Sequence, residues 1–181
     1  MSFERGQEAA PFELLVAIIL MGFVIIAGFN ALQVLERTTC EGKMRQSLEE
    51  IRAGIESVVK TKSKANVSFE LPNCFSEKES SLRIIERDEL DYCSAFCGGS
   101  ISQCIVLQFS SPSFTDVKCL RISSATTFPE GSPCDVRVLE GSYSLADWKG
   151  KQIEEGQYTL IKQFNLFSDA PVICVYRKGA E

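Results

Sequence analysis

The sequence contains no histidine, and it has only one tryptophan and three methionines among its 181 residues. Without histidine, the chain lacks the commonest general base and the commonest metal ligand of proteins. Acidic and basic residues are interspersed without a long run of either sign, and the net charge is −5. This balance gives no basic footprint for a phosphate backbone, so we expect no nucleic-acid partner.

Motifs of catalysis are absent as well. The chain has no G-x-S-x-G, H-E-x-x-H, P-loop or G-x-G-x-x-G pattern. It has no C-x-x-C pair of the kind that thiol–disulfide exchangers use, and a cysteine nucleophile would need a histidine. We therefore expect a protein that is not an enzyme and that has no cofactor and no metal site.

The dominant positive feature is an apolar run over residues 14–32, LLVAIILMGFVIIAGFNAL, which carries no charge. Nineteen helical residues extend roughly 28 Å, about the thickness of a bilayer's hydrocarbon core. A cleaved secretory signal would have a more basic head, a shorter apolar region and a small-x-small site. A buried core helix is rarely apolar on every face for so many turns. The sequence predicts a head over 1–13 and a transmembrane helix over 14–35, with the lipid bilayer as partner.

The chain has an even number of cysteines, and all of them follow the apolar run: Cys40, Cys74, Cys93, Cys97, Cys104, Cys119, Cys134 and Cys174. This arrangement favours disulfide bonds in an oxidising compartment over a metal or iron–sulfur site or free thiols. Eight cysteines allow 105 pairings, so the sequence does not give their connectivity.

Charge and cysteine content point to opposite orientations of the membrane helix. Arg37, Lys43 and Arg45 follow the apolar run, whereas the head has only Arg5, which by the positive-inside rule favours a cytosolic C-terminal part. The disulfide argument places that part outside the cell. We favour a single-pass protein of the cell membrane with a cytosolic N-terminus and an extracytoplasmic C-terminal domain.

Beyond the apolar run, a helical pattern gives way to short β-prone runs. The helical pattern over 36–65 has apolar residues at three- and four-residue steps, namely Met44, Leu48, Ile51, Ile55 and either Val58 or Val59. It predicts one helix from about residue 12 to about residue 62, either continuous or with a break near 40–42. Predicted strands then lie at 67–71, 82–86, 104–109, 117–122, 135–140, 158–164 and 172–177. With no crossover helices between them, these strands predict an α+β fold, in which a long N-terminal helix packs on an antiparallel, disulfide-bonded sheet domain over 66–181.

Several local expectations accompany this plan. Cys40 would fasten the helix to the outer domain, and Cys93, Cys97 and Cys104 would staple a loop over 88–103. Residues 142–152 would form a helical turn or a loop. Asn66-Val67-Ser68 is an N-glycosylation sequon, expected where the helix meets the first strand. Trp148 and Phe164 are assigned to the core by default, against surface binding.

The head resembles the leader of a type IV pilin. Arg5-Gly6-Gln7, a short polar stretch, and Glu13 opening an apolar helix resemble the archaeal variety with a class III signal peptide. The resemblance implies that a prepilin-type peptidase cuts after Gly6 and leaves Gln7 as the mature N-terminus. It also implies that the retained helix first anchors the subunit and later packs in a filament, with identical or related pilin-like subunits as partners.

Glu13 would correspond to the family's acidic residue near the helix start. A carboxylate in lipid is costly unless it is paired, and the new α-amino group of a neighbouring subunit is a suitable partner. In the family this glutamate is usually the fifth residue of the mature chain, whereas cleavage after Gly6 makes Glu13 the seventh. The alternative interpretation is a single-pass surface protein that is not processed and whose outer domain binds a partner.

Overall fold

The computed structural model describes the chain over residues 10–61, 64–121, 126, 128, 134–135, 139, 141–164 and 171–179. Within these residues, two helices and seven strands follow one another: α1 (Ala10–Thr61), β1 (Ala65–Phe69), β2 (Ser81–Arg87), α2 (Leu90–Cys97), β3 (Cys104–Ser110), β4 (Thr115–Leu120), β5 (Tyr143–Ala146), β6 (Gly156–Phe164) and β7 (Pro171–Lys178). The chain divides into two compact units, with the boundary between Cys40 and Glu41.

The strands form two antiparallel sheets, both within the second unit. The first sheet has the order β1-β6-β7-β5, and the second has the order β2-β3-β4. Beyond the named strands, isolated bridges pair Arg83 with Gln152 and Ile84 with Lys149. The segment 149–152 therefore runs beside β2.

One hydrophobic core joins the later part of α1 to both sheets. The apolar residues Met44, Leu48, Ile51, Ile55 and Val58 are completely buried, at the steps that the sequence pattern predicted. They share a cluster with side chains of both sheets, including Leu160 and Ile173 from the first and Leu107 and Phe109 from the second. The predicted α+β fold, with a long N-terminal helix on antiparallel sheets, is confirmed.

The central strands are apolar on both faces because both faces are covered. In β3, Leu107 belongs to the main core, whereas Val106 packs in a separate cluster with Cys93 of α2. In β7, Ile173 belongs to the main core and Tyr176 to a third cluster with Cys134. Because successive strand residues point to opposite faces, each strand contributes to two clusters.

Several sequence-based expectations about local structure were wrong. The predicted loop over 88–103 contains α2, whereas at residues 40–42, where the sequence left both alternatives open, the helix α1 is continuous as the prediction of one long helix requires. Residues 142–152 contain β5, because Tyr143–Ala146 pairs with β7. Asn66 lies inside β1 rather than before it. Phe164 ends β6 with 61% of its surface exposed, whereas Trp148 is buried as expected.

The predicted strand over 135–140 lies largely outside the described residues. Its two described members, Asp135 and Leu139, are in no strand. Asp135 is nevertheless held by hydrogen bonds, because its carbonyl oxygen accepts one from the hydroxyl of Tyr176 at 2.7 Å. Its N–H donates to the side-chain oxygen of Gln163 at 3.1 Å.

Gly54 lies where α1 approaches β1 most closely. A Cβ placed on Gly54 would overlap Cγ1 of Val67, a branched side chain that is itself buried. A Cβ on Gly42, in the same helix, would meet nothing within 4 Å. The two glycines therefore have different roles although both are helical.

We expect Gly54→Ala to lower the free energy of unfolding by about 1–3 kcal/mol, as overpacked cores do. Gly42→Ala should raise it by about 0.5–1 kcal/mol, because alanine is the better helix former and has room. Urea unfolding of the two variants measures this contrast. Adding Val67→Ala to the Gly54 variant should recover part of the loss. Equal stabilisation by both alanines would contradict the close approach.

Glu56 links α1 to the end of β4. Its carboxylate oxygen Oε1 accepts hydrogen bonds at 3.0 Å from Arg52 Nε and from the N–H of Arg121. Burial by itself raises the pKa of Glu56. The hydrogen bond from Arg121 and the hydrogen bond and charge of Arg52 outweigh that effect, so the net pKa is lowered.

Because the folded pKa is lowered, the stabilisation by Glu56 is present above the unfolded pKa and disappears as the pH falls through the folded one. We expect Glu56→Gln to cost about 1–2 kcal/mol at pH 7, and nearly nothing well below the pKa of the folded state. Chemical unfolding of both proteins across pH 2–7 measures the difference. A constant difference for Glu56→Gln would contradict the assignment.

Candidate membrane anchor and ligand cavity

The first part of α1 exposes large apolar side chains on every face. From Phe12 to Leu35 these side chains are 38–72% exposed, including Phe23 at 68% and Val24 at 72%. Among the described residues, α1 is the one helix long and apolar enough to cross a membrane, and none of its apolar window is buried. A helix that is apolar all round requires an apolar surrounding such as lipid.

Three polar side chains lie on this apolar segment, namely Glu13, Asn30 and Gln33. Glu13 is in the first turn of α1, where a negative charge suits the helix dipole, and its surface is exposed. Asn30 is exposed in the second half of the apolar run. Arg5, Gly6 and Gln7, which carry the predicted processing site, lie outside the described residues.

All eight cysteines lie within the described residues, and none of them is free. Three bonds join Cys93 to Cys104, Cys97 to Cys119 and Cys134 to Cys174. Cys40 and Cys74 are disulfide-bonded too. The predicted disulfide-bonded domain is thereby confirmed.

The short helix α2 is attached to the second sheet by two of these bonds. Cys93 and Cys97 are four residues apart, so they lie on one helix face, and they reach β3 and β4 respectively. As expected, Cys93, Cys97 and Cys104 form disulfide bonds in this part of the chain. The segment that these bonds hold is a helix and not a loop. The cysteines themselves supply the apolar face that the sequence pattern did not reveal.

Asn66 of the sequon lies on β1, the edge strand of the first sheet. Its side chain is exposed, and its Oδ1 accepts a hydrogen bond at 3.0 Å from Thr159 Oγ1 on the neighbouring strand. Thr159 is directly opposite Asn66 in the strand register. Glycosylation of Asn66 remains a prediction.

A cavity of about 340 Å³ opens between the two sheets. The core residues Phe69, Leu82, Phe109 and Ile153 lie at its base, but each is at most 4% exposed and offers the cavity little apolar surface. The remaining lining residues are Leu71, Glu77, Ser80, Ser81, Gln152, Glu154, Glu155 and Arg177. Three carboxylates and one guanidinium give the lining a net charge of −2.

Hydrogen bonds fix most polar groups of this lining. Arg177 pairs with the carboxylate of Glu154, and its Nη2 donates to the carbonyl oxygen of Glu155 at 2.7 Å. The Glu155 carboxylate accepts the N–H of Leu71. Gln152 Nε2 donates to the carbonyl oxygen of Ser80 at 3.2 Å.

The polar groups of the lining that have no partner among the described residues include the Ser80 hydroxyl and the Glu77 carboxylate. The hydroxyl of Ser80 is buried without a hydrogen bond, and only 6% of the residue is exposed. The exposed carboxylate of Glu77 forms neither an ion pair nor a hydrogen bond within the described chain. Sequence reasoning missed this cavity because its residues come from separated segments and no motif marks them.

In the part of the chain that the structure describes, no group of three or more histidine, cysteine, aspartate or glutamate residues could hold a metal ion. The acidic residues Glu86, Asp88, Glu89 and Asp91 are exposed around the start of α2. These four exposed carboxylates do not supply the ligand set of a metal site.

The fold and these sites define a class: an α+β protein with an exposed apolar N-terminal helix and a disulfide-bonded sheet domain. Such a combination is compatible with a membrane-anchored protein that has an extracellular domain. No family model, curated protein or solved structure matches the chain.

Proposed function

We propose that the protein is a pilin-like structural subunit, exported and held in the membrane by the first part of α1. The observation that carries the proposal is the exposed apolar helix that starts beside Glu13 and follows the Arg5-Gly6-Gln7 head. In this proposal a prepilin-type peptidase removes the first six residues. The helix then packs against those of identical or related subunits in a surface filament.

The disulfides support the extracytoplasmic placement of the sheet domain. None of the eight cysteines is free, and such bonds persist in oxidising compartments. We propose a single-pass topology with the N-terminus in the cytosol. Labelling of intact cells with a membrane-impermeant reagent at an added exposed cysteine, such as Lys78→Cys, tests it. Labelling only after lysis would contradict this topology.

Mass spectrometry of the N-terminus tests processing. The full chain, isolated from membranes of cells that contain the peptidase, should begin at Gln7. Gly6→Leu should leave the chain uncleaved, whereas Ala9→Leu, a similar change beyond the cleavage point, should not. A wild-type chain that begins at Met1 or Ser2 would contradict processing.

Electron microscopy tests assembly separately. Filaments should appear on cells that express the processed chain and should be lost with Glu13→Leu, which removes the carboxylate but keeps an apolar helix. Glu41→Gln, which changes a charge beyond the apolar run, is the control. Absence of filaments from processed wild-type protein would contradict the filament role.

A second candidate function is that of a single-pass surface protein whose outer domain binds a partner or ligand. The cavity between the sheets favours it, because its volume lies within the range of ligand sites and polar groups converge on it. This function predicts an unprocessed N-terminus and no filaments, so mass spectrometry of the N-terminus and electron microscopy separate the two candidate functions.

A further inference from the structure

We propose that the apolar part of α1 associates with the same segment of a second copy, in parallel and in register, through a hydrogen bond between their Asn30 side chains. The proposal names the contact that two identical chains make inside the membrane. It rests on the insertion of α1 that the proposed function includes, and on neither processing nor filament assembly.

Asn30 lies too deep to reach water when α1 spans a bilayer. It is six residues, about 9 Å of helix, before Glu36, the first charge after the apolar run. The Cα–Cβ bonds of a helix are tilted towards its N-terminus, so the Asn30 side chain starts away from this nearer boundary. Glu13, towards the other boundary, is about 25 Å away.

The Asn30 amide has no partner within the described chain. Its side chain is exposed and forms no hydrogen bond there, and the same holds for Gln33 on the next turn. By contrast, the hydroxyl of Thr38, beyond the apolar run, donates to the carbonyl oxygen of Leu35 at 3.0 Å. An amide in hydrocarbon costs free energy unless it is hydrogen-bonded, and lipid tails offer neither donor nor acceptor. Another membrane helix is therefore the source of the missing partner.

Asn30 belongs to a stripe along one face of α1. Alternating steps of three and four residues give the members of this stripe, which are Val16, Ile19, Phe23, Ile26, Asn30 and Gln33. This is the spacing of the a and d positions through which two helices pack side by side. The apolar members are 38–68% exposed, so the described part of the chain leaves the stripe uncovered.

A second copy of the chain matches this stripe in depth and in chemistry. Identical chains inserted with one topology hold Asn30 at the same depth, because the same flanking charges position each helix. A carboxamide has two donors and an acceptor, so two of them satisfy each other. Asparagine at one such position sets the register of paired helices, and interhelical amide hydrogen bonds stabilise their association in membranes.

Sedimentation equilibrium of the full chain in density-matched, uncharged detergent micelles tests the proposal. The wild-type chain should form dimers or larger oligomers, and Asn30→Leu should weaken this association about tenfold. Asn30→Gln keeps the amide and should retain most of the association. Phe29→Leu changes the neighbouring residue on another face and should leave the association unchanged.

Two results would overturn the proposal. One is a wild-type chain that stays monomeric at high protein-to-detergent ratio, and the other is equal association of the wild type and Asn30→Leu. The measurement needs neither a peptidase nor filaments, so a failure of the filament role would leave its result unchanged. A failure of membrane insertion is detected separately, by carbonate extraction of membranes.

Oxidative cross-linking in membranes tests the face and the register. None of the native cysteines is free, so one added cysteine reports the contact. With copper phenanthroline as the oxidant, Ile26→Cys on the stripe should form an intermolecular disulfide several times faster than Ile25→Cys. Residue 25 lies at nearly the same depth but about 100° around the helix. Equal rates would indicate random collision and would overturn the in-register contact.

Discussion

Replacement of Phe23 and Val24 by arginine should release the protein from the membrane. Both side chains lie near the middle of the apolar segment and are 68% and 72% exposed. Each arginine at the centre of a membrane helix costs about 2.5–3.5 kcal/mol on the insertion scale, so two of them offset much of the favourable transfer of the remaining apolar residues. The fraction that stays with membranes after carbonate extraction measures the effect.

The control keeps the helix apolar. Phe23→Leu with Val24→Leu preserves both length and hydropathy, so this variant should remain in the membrane fraction. The substitutions lie outside the compact unit of residues 41–181, so the three disulfides of that unit should still form when the arginine variant is refolded under oxidising conditions. Retention of the arginine variant in the membrane pellet would contradict a spanning role for this segment.

The second large effect concerns the Cys134–Cys174 disulfide. Its cysteines are 40 residues apart, and Cys174 is completely buried in β7. Loop-closure entropy predicts that Cys134→Ala with Cys174→Ala lowers the free energy of unfolding by about 4 kcal/mol. Urea unfolding of the oxidised full chain in detergent measures the loss.

A shorter bridge provides the comparison. Cys93 and Cys104 are 11 residues apart, so their double alanine variant should lose about 3 kcal/mol. The difference between the two losses of unfolding free energy tests the entropic explanation, since both pairs consist of buried cysteines. A larger loss for the shorter bridge would contradict it and would assign the stability to local packing of α2.

The sheet domain shows why strand prediction succeeded where it did. Two of the interior strands, β3 and β7, are rich in β-branched and aromatic residues, and both were predicted within one residue at each end. Their continuous apolar runs reflect burial on both faces. The short strand β5 was missed because Tyr143–Ala146 has no buried residue and is held by its pairing with β7.

The two candidate sites also differ in whether the sequence could predict them. The membrane helix could be predicted because its length, its lack of charge and the residues that flank it are all properties of one continuous stretch of sequence. The cavity could not, because Phe69, Ser80, Phe109 and Arg177 meet only after both sheets have formed. Its unpartnered hydroxyl is visible only when the surroundings of Ser80 are known.

The apolar helix, the α+β class and the use of the cysteines in disulfides follow from the sequence, because periodicity, run length and residue type act locally. The disulfide pairing, the place of α2 and the role of Gly54 follow only from the way the elements pack together. A helical glycine is locally only a weakness, and Gly54 becomes necessary because Val67 of β1 lies against it. Such close contacts depend on which elements meet, and that information is spread over the whole chain.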